Sequence, residues 1–339
     1  MAILGGGGQS VDDPVYVDTL ESLKEALADE VKLYKYIAFP EVYDAPKVID
    51  LRSAGWNPIN IVSPFISGSN RNDVYIYFNN WTILGLSMMD SISADITFFN
   101  NKIRTYIYDL IIKNAYVLAA ASEAAMFECG ENYNLTPIIN FYRCKFSMCI
   151  DAQNSDVNAF HGYPSGSGTE RHMNFYQCSF NTNYVINMTS LRTRLYYQNY
   201  GKGSFTNCIF NIVASHHREG SGYNNCLVGY SRQMQFCKII GSIDHISGDQ
   251  IDVLSLNREG GSVYNVVDMD ITDHTQNSNT YLRIQFERGT NIINSSRLSK
   301  AVGSFSKQYS NLTECTAAQM QDKDYLNSIE FICGDAVSP

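Results

Sequence analysis

Charge is scarce in this chain. Of its 339 residues only 17% are Asp, Glu, Lys or Arg, where about 25% is usual for a soluble domain. The 25 basic residues face 34 acidic ones, for a net charge of −9. No basic excess exists to neutralise phosphates, which excludes a nucleic-acid-binding composition. The start, Met1-Ala-Ile-Leu-Gly-Gly-Gly-Gly-Gln-Ser10, lacks the basic residues and the apolar run of about 7–15 residues that a secretory signal carries. No stretch approaches the ~18 apolar residues of a membrane span, Ala115 to Ala121 being among the longest. The expectation is a soluble chain made in a cytosol, with no membrane insertion. C-x-x-C is absent and the histidines do not fall at zinc-ligand spacing from any cysteine pair, so neither structural zinc nor another cofactor is expected.

What the chain does have is apolar mass. Hydrophobic residues make up 45%, with 23 Tyr and 17 Phe, ample for a packed core and incompatible with disorder. Length allows one large core or two ordinary domains. Asn marks an internal change: none occurs in residues 1–56 and 31 occur in residues 57–339. The cysteines number nine, an odd count for oxidised pairing.

Four of those cysteines sit in a repeat. Phe141-Tyr-Arg-Cys-Lys-Phe146, Phe175-Tyr-Gln-Cys-Ser-Phe180, Phe205-Thr-Asn-Cys-Ile-Phe210 and Met234-Gln-Phe-Cys-Lys-Ile239 align without gaps, their cysteines 34, 30 and 29 residues apart. Phe98-Phe-Asn-Asn-Lys-Ile103, Val266-Val-Asp-Met-Asp-Ile271 and Ile293-Asn-Ser-Ser-Arg-Leu298 read as weaker copies, with Asn101, Met269 and Ser296 at the cysteine position. Within a unit, Cys144 and Phe146 share one strand face while Phe141 has the opposite parity. If both aromatics are buried, the chain turns a corner between them. Asn207 stands at that corner and tolerates the left-handed backbone a one-residue bend requires. Strand, bend and strand every 30 residues or so describe the coil of a right-handed parallel β-helix, whose stacked coils bring like residues into ladders. About eight coils fit between residues 60 and 315, a rod on the order of 40 Å long. The cysteine column is then an internal ladder of small apolar thiols.

A solenoid needs closed ends. Asp18-Thr-Leu-Glu21 resembles a capping box, and Leu20, Leu23, Ala26 and Leu27 follow at helical spacing, predicting a helix over 19–31. Tyr36–Pro40 and Lys47–Leu51 read as short strands. At the other end Thr316-Ala-Ala-Gln319 predicts a short helix through Asn327 and a last strand over 328–333. The chain thus divides into a Gly-rich arm (1–17), a capping helix with first strands (18–56), the all-β solenoid (57–315) and a carboxy-terminal cap (316–339).

The order Leu20-Glu-Ser-Leu-Lys-Glu-Ala-Leu27, then Tyr36-Ile-Ala-Phe-Pro-Glu-Val-Tyr43, resembles the capping helix and first coil of pectate-lyase-like β-helix proteins, a superfamily that includes bacteriophage tailspikes. Tyr325-Leu-Asn-Ser-Ile-Glu-Phe-Ile-Cys333 is similar to closing segments of β-helix proteins from phages of Bacteroidota hosts. The resemblance implies a virion structural protein, a tail spike, tail fibre or capsid-surface component. It implies a homo-oligomer, with a trimer favoured, that is joined to other virion proteins through its amino-terminal arm and used in assembly or in attachment to host-surface glycans. The alternative it implies is a polysaccharide depolymerase, a glycoside hydrolase or lyase. Polygalacturonase-like relatives carry a Gly-His-Gly that is absent here, and Arg283-Ile-Gln285 ends in Gln where they have Lys.

Candidate chemistry is sparse. Asp268 and Asp270 flank Met269, so an inward Met269 puts both carboxylates outward, about 6–7 Å apart, between retaining and inverting glycosidase geometries; paired outward acids also serve simply to keep a rod soluble. Asp244-His245 with Asp249 and Asp252, and Asp273-His274, are further acid–histidine groups. His216-His217-Arg218 reads as a loop in which adjacent histidines face apart, so no metal site is expected. The segments Asp151–Arg171 and Thr189–Gly203 read as long loops whose tyrosines Tyr163, Tyr196, Tyr197 and Tyr200 suit either sugar contact or packing in an oligomer.

Overall fold

The computed structural model describes residues 13–28, 36–53, 61–62, 73–89, 96–119, 124–129, 137–152, 157–162, 172–186, 193–198, 203–216, 225–231, 233–245, 251–256, 262–263, 265–273, 282–287, 292–293, 301–306, 312–315, 319, 322, 324–325 and 332–333. Through them the chain winds as a parallel β-solenoid with three sheets of 9, 11 and 10 strands. Most strands pair with their equivalent one coil later, with register shifts after Ile112 in the second sheet and after Arg194, Cys226 and Asp252 in the third. First-sheet strands beginning at Asp73, Arg104, Ile138, His172, Ser204, Gln233 and Ser262 each lead on to the second and third sheets. These are seven complete coils among the described residues between 60 and 315, one fewer than the spacing predicts. Past Glu287 the path changes: Ile292–Ile293 is followed in its sheet by Ile332–Cys333, and Ala301–Ser306 is met by the antiparallel strand Leu312–Cys315.

The corner between first and second sheets is a single left-handed residue in most coils and two, Asn79 and Asn80, in the first of them. Arg143, Gln177, Asn207 and Phe236 have φ of 54°, 55°, 54° and 53°, and Asp109 and Asn80 continue the series at 56° and 63°. Asn207 is where the sequence places it, yet the corner also accepts Arg, Gln and Phe. A non-glycine residue there costs roughly 1–2 kcal/mol. Hydrogen bonding continues round the bend and offsets that cost, because Arg143, Gln177 and Asn207 donate N–H to the carbonyls of Tyr176, Thr206 and Gln235 at 2.9, 2.9 and 2.8 Å.

The bend lets residues of opposite parity meet in the core. Phe141, Phe175 and Phe205 stack along one column with centroids 4.9 and 4.8 Å apart, and Phe146, Phe180 and Phe210 along another at 5.4 and 4.9 Å. The two columns meet edge to face, as between Phe141 and Phe146 at 5.6 Å. Pairs of this kind add about 0.5–1.5 kcal/mol each beyond area burial.

Cys144, Cys178, Cys208 and Cys237 form the internal ladder, buried and unoxidised. The thiols of Cys178, Cys208 and Cys237 donate to the carbonyls of Phe141, Phe175 and Phe205 of the preceding coil at 3.5, 3.4 and 3.6 Å. All three weaker copies are out of register with the coils. Ile111 pairs with Lys145 and Lys238 with Val266, so the residues continuing the cysteine column are Leu110 and Asn265. Asn101 instead pairs with Cys129 in the third sheet, and Met269 lies four positions past the column. Both fill buried sites, which is why their size resembles that of the repeat. Ile292, not Ile293, pairs with Val266, so the third copy is one residue off against the second as well; Ser296 itself lies outside the described residues.

The amino end is closed by the helix Leu20–Ala28, which buries Leu20, Leu23, Ala26 and Leu27 against the end of the core. Its cap is one residue later than predicted. Thr19 Oγ1 accepts from Ser22 N at 3.0 Å and Ser22 Oγ accepts from Thr19 N at 3.1 Å, a reciprocal box without Glu21. Residues 29–31 of the predicted helix lie outside the described residues. Tyr36–Ala38 pairs with Tyr75–Tyr77 and Val48–Asp50 with Thr82–Leu84, so the Asn boundary at residue 56 falls inside the solenoid. Of the predicted carboxy-terminal helix, Gln319, Asp324 and Tyr325 have helical backbone; the last strand is Ile332–Cys333.

Candidate functional site

The predicted acids lie on the second sheet. Asp268 and Asp270 belong to the strand Val266–Asp273, opposite Ile240 and Ser242 of the preceding coil. Met269 between them is buried, so both occupy register positions of opposite parity to the core. Asp268 continues a column through Asn181, Asn211 and Ile240, and Asp270 one through Asn183, Val213 and Ser242. Asp244 and His245 end the strand Lys238–His245, and Asp252 lies in Ile251–Leu256 opposite Cys226 and Arg283. Asp249, His217, Arg218 and His274 lie outside the described residues.

Parts of the two predicted loops are sheet. Tyr196 and Tyr197 belong to the strand Thr193–Gln198 of the third sheet, opposite Phe160 and His161. Asp151 is not the start of a loop but the buried end of Lys145–Ala152, where it accepts the Tyr116 hydroxyl at 2.5 Å. His161 and Gly162 belong to the fully buried strand Val157–Gly162. Their described strand residues pair with the equivalent strands of neighbouring coils. Tyr163 and Tyr200 lie outside the described residues.

The tyrosines that do gather are different ones. On the outer side of the first sheet, Tyr36, Tyr75 and Tyr106 stack with centroids 5.1 and 4.6 Å apart. Two residues along each strand, Tyr77, Tyr108, Tyr142 and Tyr176 stack at 4.8 Å per step. All seven are partly buried. The first column continues through Asn140, Asn174 and Ser204, joined by an amide–amide bond of 3.0 Å and a hydroxyl–amide bond of 2.9 Å; the second continues through Thr206 and Gln235. No residue of either column from Tyr36 to Gln235 is charged.

Charge sits at the margins and is paired there. Arg143 holds Asp109 through two bonds of 2.8 and 2.7 Å and lies 5.7 Å from the Tyr108 ring centre, while Arg104 approaches Asp73 at 3.5 Å. Burial within the stack pushes Tyr142 up to about 12, with neighbouring Tyr176 adding to the shift, and pushes Tyr75, Tyr77 and Tyr108 up as well. These phenols therefore stay neutral well into alkaline pH. Because the rings lie face to face with one another, the face presents ring edges and hydroxyls, at a repeat of about 4.8 Å. Alternation carried the signal in the sequence: Tyr75-Ile-Tyr77 and Tyr106-Ile-Tyr108 bracket core isoleucines, and Tyr142 and Tyr176 follow core phenylalanines.

No family model, no curated protein and no solved structure matches this chain.

Proposed function

We propose that this chain is a structural rod of a bacteriophage virion, a tail spike, tail fibre or capsid-surface component, working in assembly or host-surface glycan attachment rather than turnover. The observation that carries it is the uncharged tyrosine, amide and hydroxyl face on a rigid, self-stacked solenoid. A chain of net charge −9 repels acidic partners over most of its surface, whereas this strip carries no charge to desolvate and offers neutral hydrogen-bonding groups at every coil. Tyrosine-rich surfaces of that kind suit protein interfaces and polar, uncharged polymers. Seating against further copies in a homo-oligomer, a trimer by preference, belongs to the same reading, as does joining other virion proteins through the amino-terminal arm.

The test has two arms. Antibody against the chain decorates purified particles of the encoding phage in immunogold microscopy, and added protein competes with those particles for adsorption to host cells. Tyr108→Lys and Tyr142→Lys weaken the competition; particles left bare by the antibody would sink the proposal.

A second reading, a polysaccharide depolymerase, draws on the burial of Met269, which leaves Asp268 and Asp270 at paired non-core positions. Loss of reducing-end release from host polysaccharide in Asp268→Asn or Asp270→Asn would favour it over a purely structural role. No release by the wild type would remove it.

A further inference from the structure

The tyrosine stack stops at Tyr176. Its ring lies on Tyr142 at 4.8 Å, but its counterpart in the next coil is Thr206 and in the coil after that Gln235. Tyr108 and Tyr142 spend both ring faces on neighbouring rings. A phenol ring stands well above a threonine, so the face of Tyr176 on the Thr206 side has no ring partner among the described residues. The corner beside this step is anomalous in the same coils. Gln177 and Asn207 turn the first two, and Phe236 turns the third with φ 53° and 56% of its surface exposed. A left-handed backbone is costly for a bulky side chain, and burial does not repay it here. Strain that the core does not reward points to a use at the surface.

Between Tyr176 and Phe236 lie neutral hydrogen-bonding groups. Thr206, Asn207 and Gln235 offer a hydroxyl and two amides, and their side chains have no hydrogen-bond partner among the described residues. None of Tyr176, Gln177, Thr206, Asn207, Gln235 and Phe236 is charged. Of the nearby cations, Arg143 is held by Asp109, and Lys238 belongs to the second sheet beyond the corner. The backbone advances two coil steps from Gln177 to Phe236, about 10 Å, a length that a short run of sugar units covers. A pyranose has a C–H face and a rim of hydroxyls. An open aromatic ring takes the face, and amides and a hydroxyl can both donate to and accept from the rim. An acidic sugar gains nothing from a strip with no charge of its own.

We propose that Tyr176 and Phe236, with Thr206, Asn207 and Gln235 between them, bind a neutral hexopyranose chain. The inference rests on the glycan-attachment reading above and names its ligand class and its place on the rod. To test it, the full-length protein is run in native gels containing dextran, mannan or galactan, with polygalacturonate as the acidic comparison. At least one neutral polysaccharide retards the wild type, and polygalacturonate does not. Tyr176→Leu and Phe236→Asn each weaken that binding about five- to tenfold. Tyr176→Phe, which keeps the ring, retains it, and Ser242→Ala on the second sheet leaves it unchanged. Thermal midpoints check folding, and Phe236→Asn relieves backbone strain, so its loss of binding is not a loss of fold. No retardation by any neutral polysaccharide, equal or stronger retardation by polygalacturonate, or variants retarded as strongly as wild type would overturn the proposal. Antibody-labelled particles without retardation sink this inference and leave the virion reading standing; bare particles with retardation do the reverse.

Discussion

Cys237 donates its backbone N–H to Asn265 Oδ1 at 2.9 Å, and Asn265 Nδ2 donates to the Met234 carbonyl at 3.0 Å. One coil earlier the Cys208 N–H points to the Cys237 sulfur at 3.4 Å. Asn265 therefore takes over, with a stronger acceptor, the place a fifth cysteine would hold.

Replacing Asn265 with Leu leaves the Cys237 N–H and the Met234 carbonyl without these partners in a buried site, and each such loss costs about 1–3 kcal/mol. Asn265→Leu should lower unfolding stability by about 2–4 kcal/mol on that basis. Asn265→Cys, which restores a sulfur acceptor, should lose less. Urea titrations of the two variants give the order; equal losses would show that Asn265 contributes volume rather than hydrogen bonds.

Burial, the largest cause, pushes the thiols of Cys178, Cys208 and Cys237 up. An acid whose pKa is raised on folding contributes stability that is fully present below its unfolded value, about 8.5 for a thiol. That stability falls as pH rises further, because the unfolded chain gives up its protons first. Tyr142, held up to about 12, adds the same sign of effect from about 10 upward. Thermal midpoints should thus decline above roughly pH 8.5 and more steeply above roughly pH 10. An aromatic disulfide reagent at neutral pH should modify these ladder thiols only after denaturant is added; rapid labelling of the native ladder would contradict their burial.

Gly241 interrupts the core column between Ile212 and Met269. Its φ is +124°, and a Cβ added there would stand 1.9 Å from the Ile212 carbonyl oxygen. Neither the backbone angle nor the space admits a side chain. Gly241→Ala should destabilise by about 3 kcal/mol or more through strain and displaced pairing, read as a lower denaturation midpoint or loss of soluble protein. Ser242→Ala next to it is the control.

Phe236 occupies the left-handed corner with φ 53° and 56% of its surface exposed. Its ring recovers little burial for the strain of that conformation. Phe236→Asn should raise stability by about 0.5–1 kcal/mol, since Asn enters the left-handed region more readily, whereas Asn207→Ala at the equivalent corner should lower it by a similar amount. Calorimetry on the pair tests the sign at both positions.

The six-residue cysteine repeat determined much of the fold by itself. Opposite parities of Phe141 and Phe146 demand a bend, and the constant spacing demands stacking, so coils, core columns and free thiols followed from local chemistry. Helical periodicity likewise placed Leu20, Leu23, Ala26 and Leu27 on the buried face of a cap. Only the tertiary structure decided the rest. Whether Leu110 or Asn101, Asn265 or Met269, continues the cysteine column depends on inter-coil hydrogen-bond register, which slips freely in sequence when both candidates have suitable size. The two tyrosine columns have the same origin. Their members lie about a coil apart in the chain and become neighbours only because backbone pairing between coils locks each strand onto its equivalent in the next.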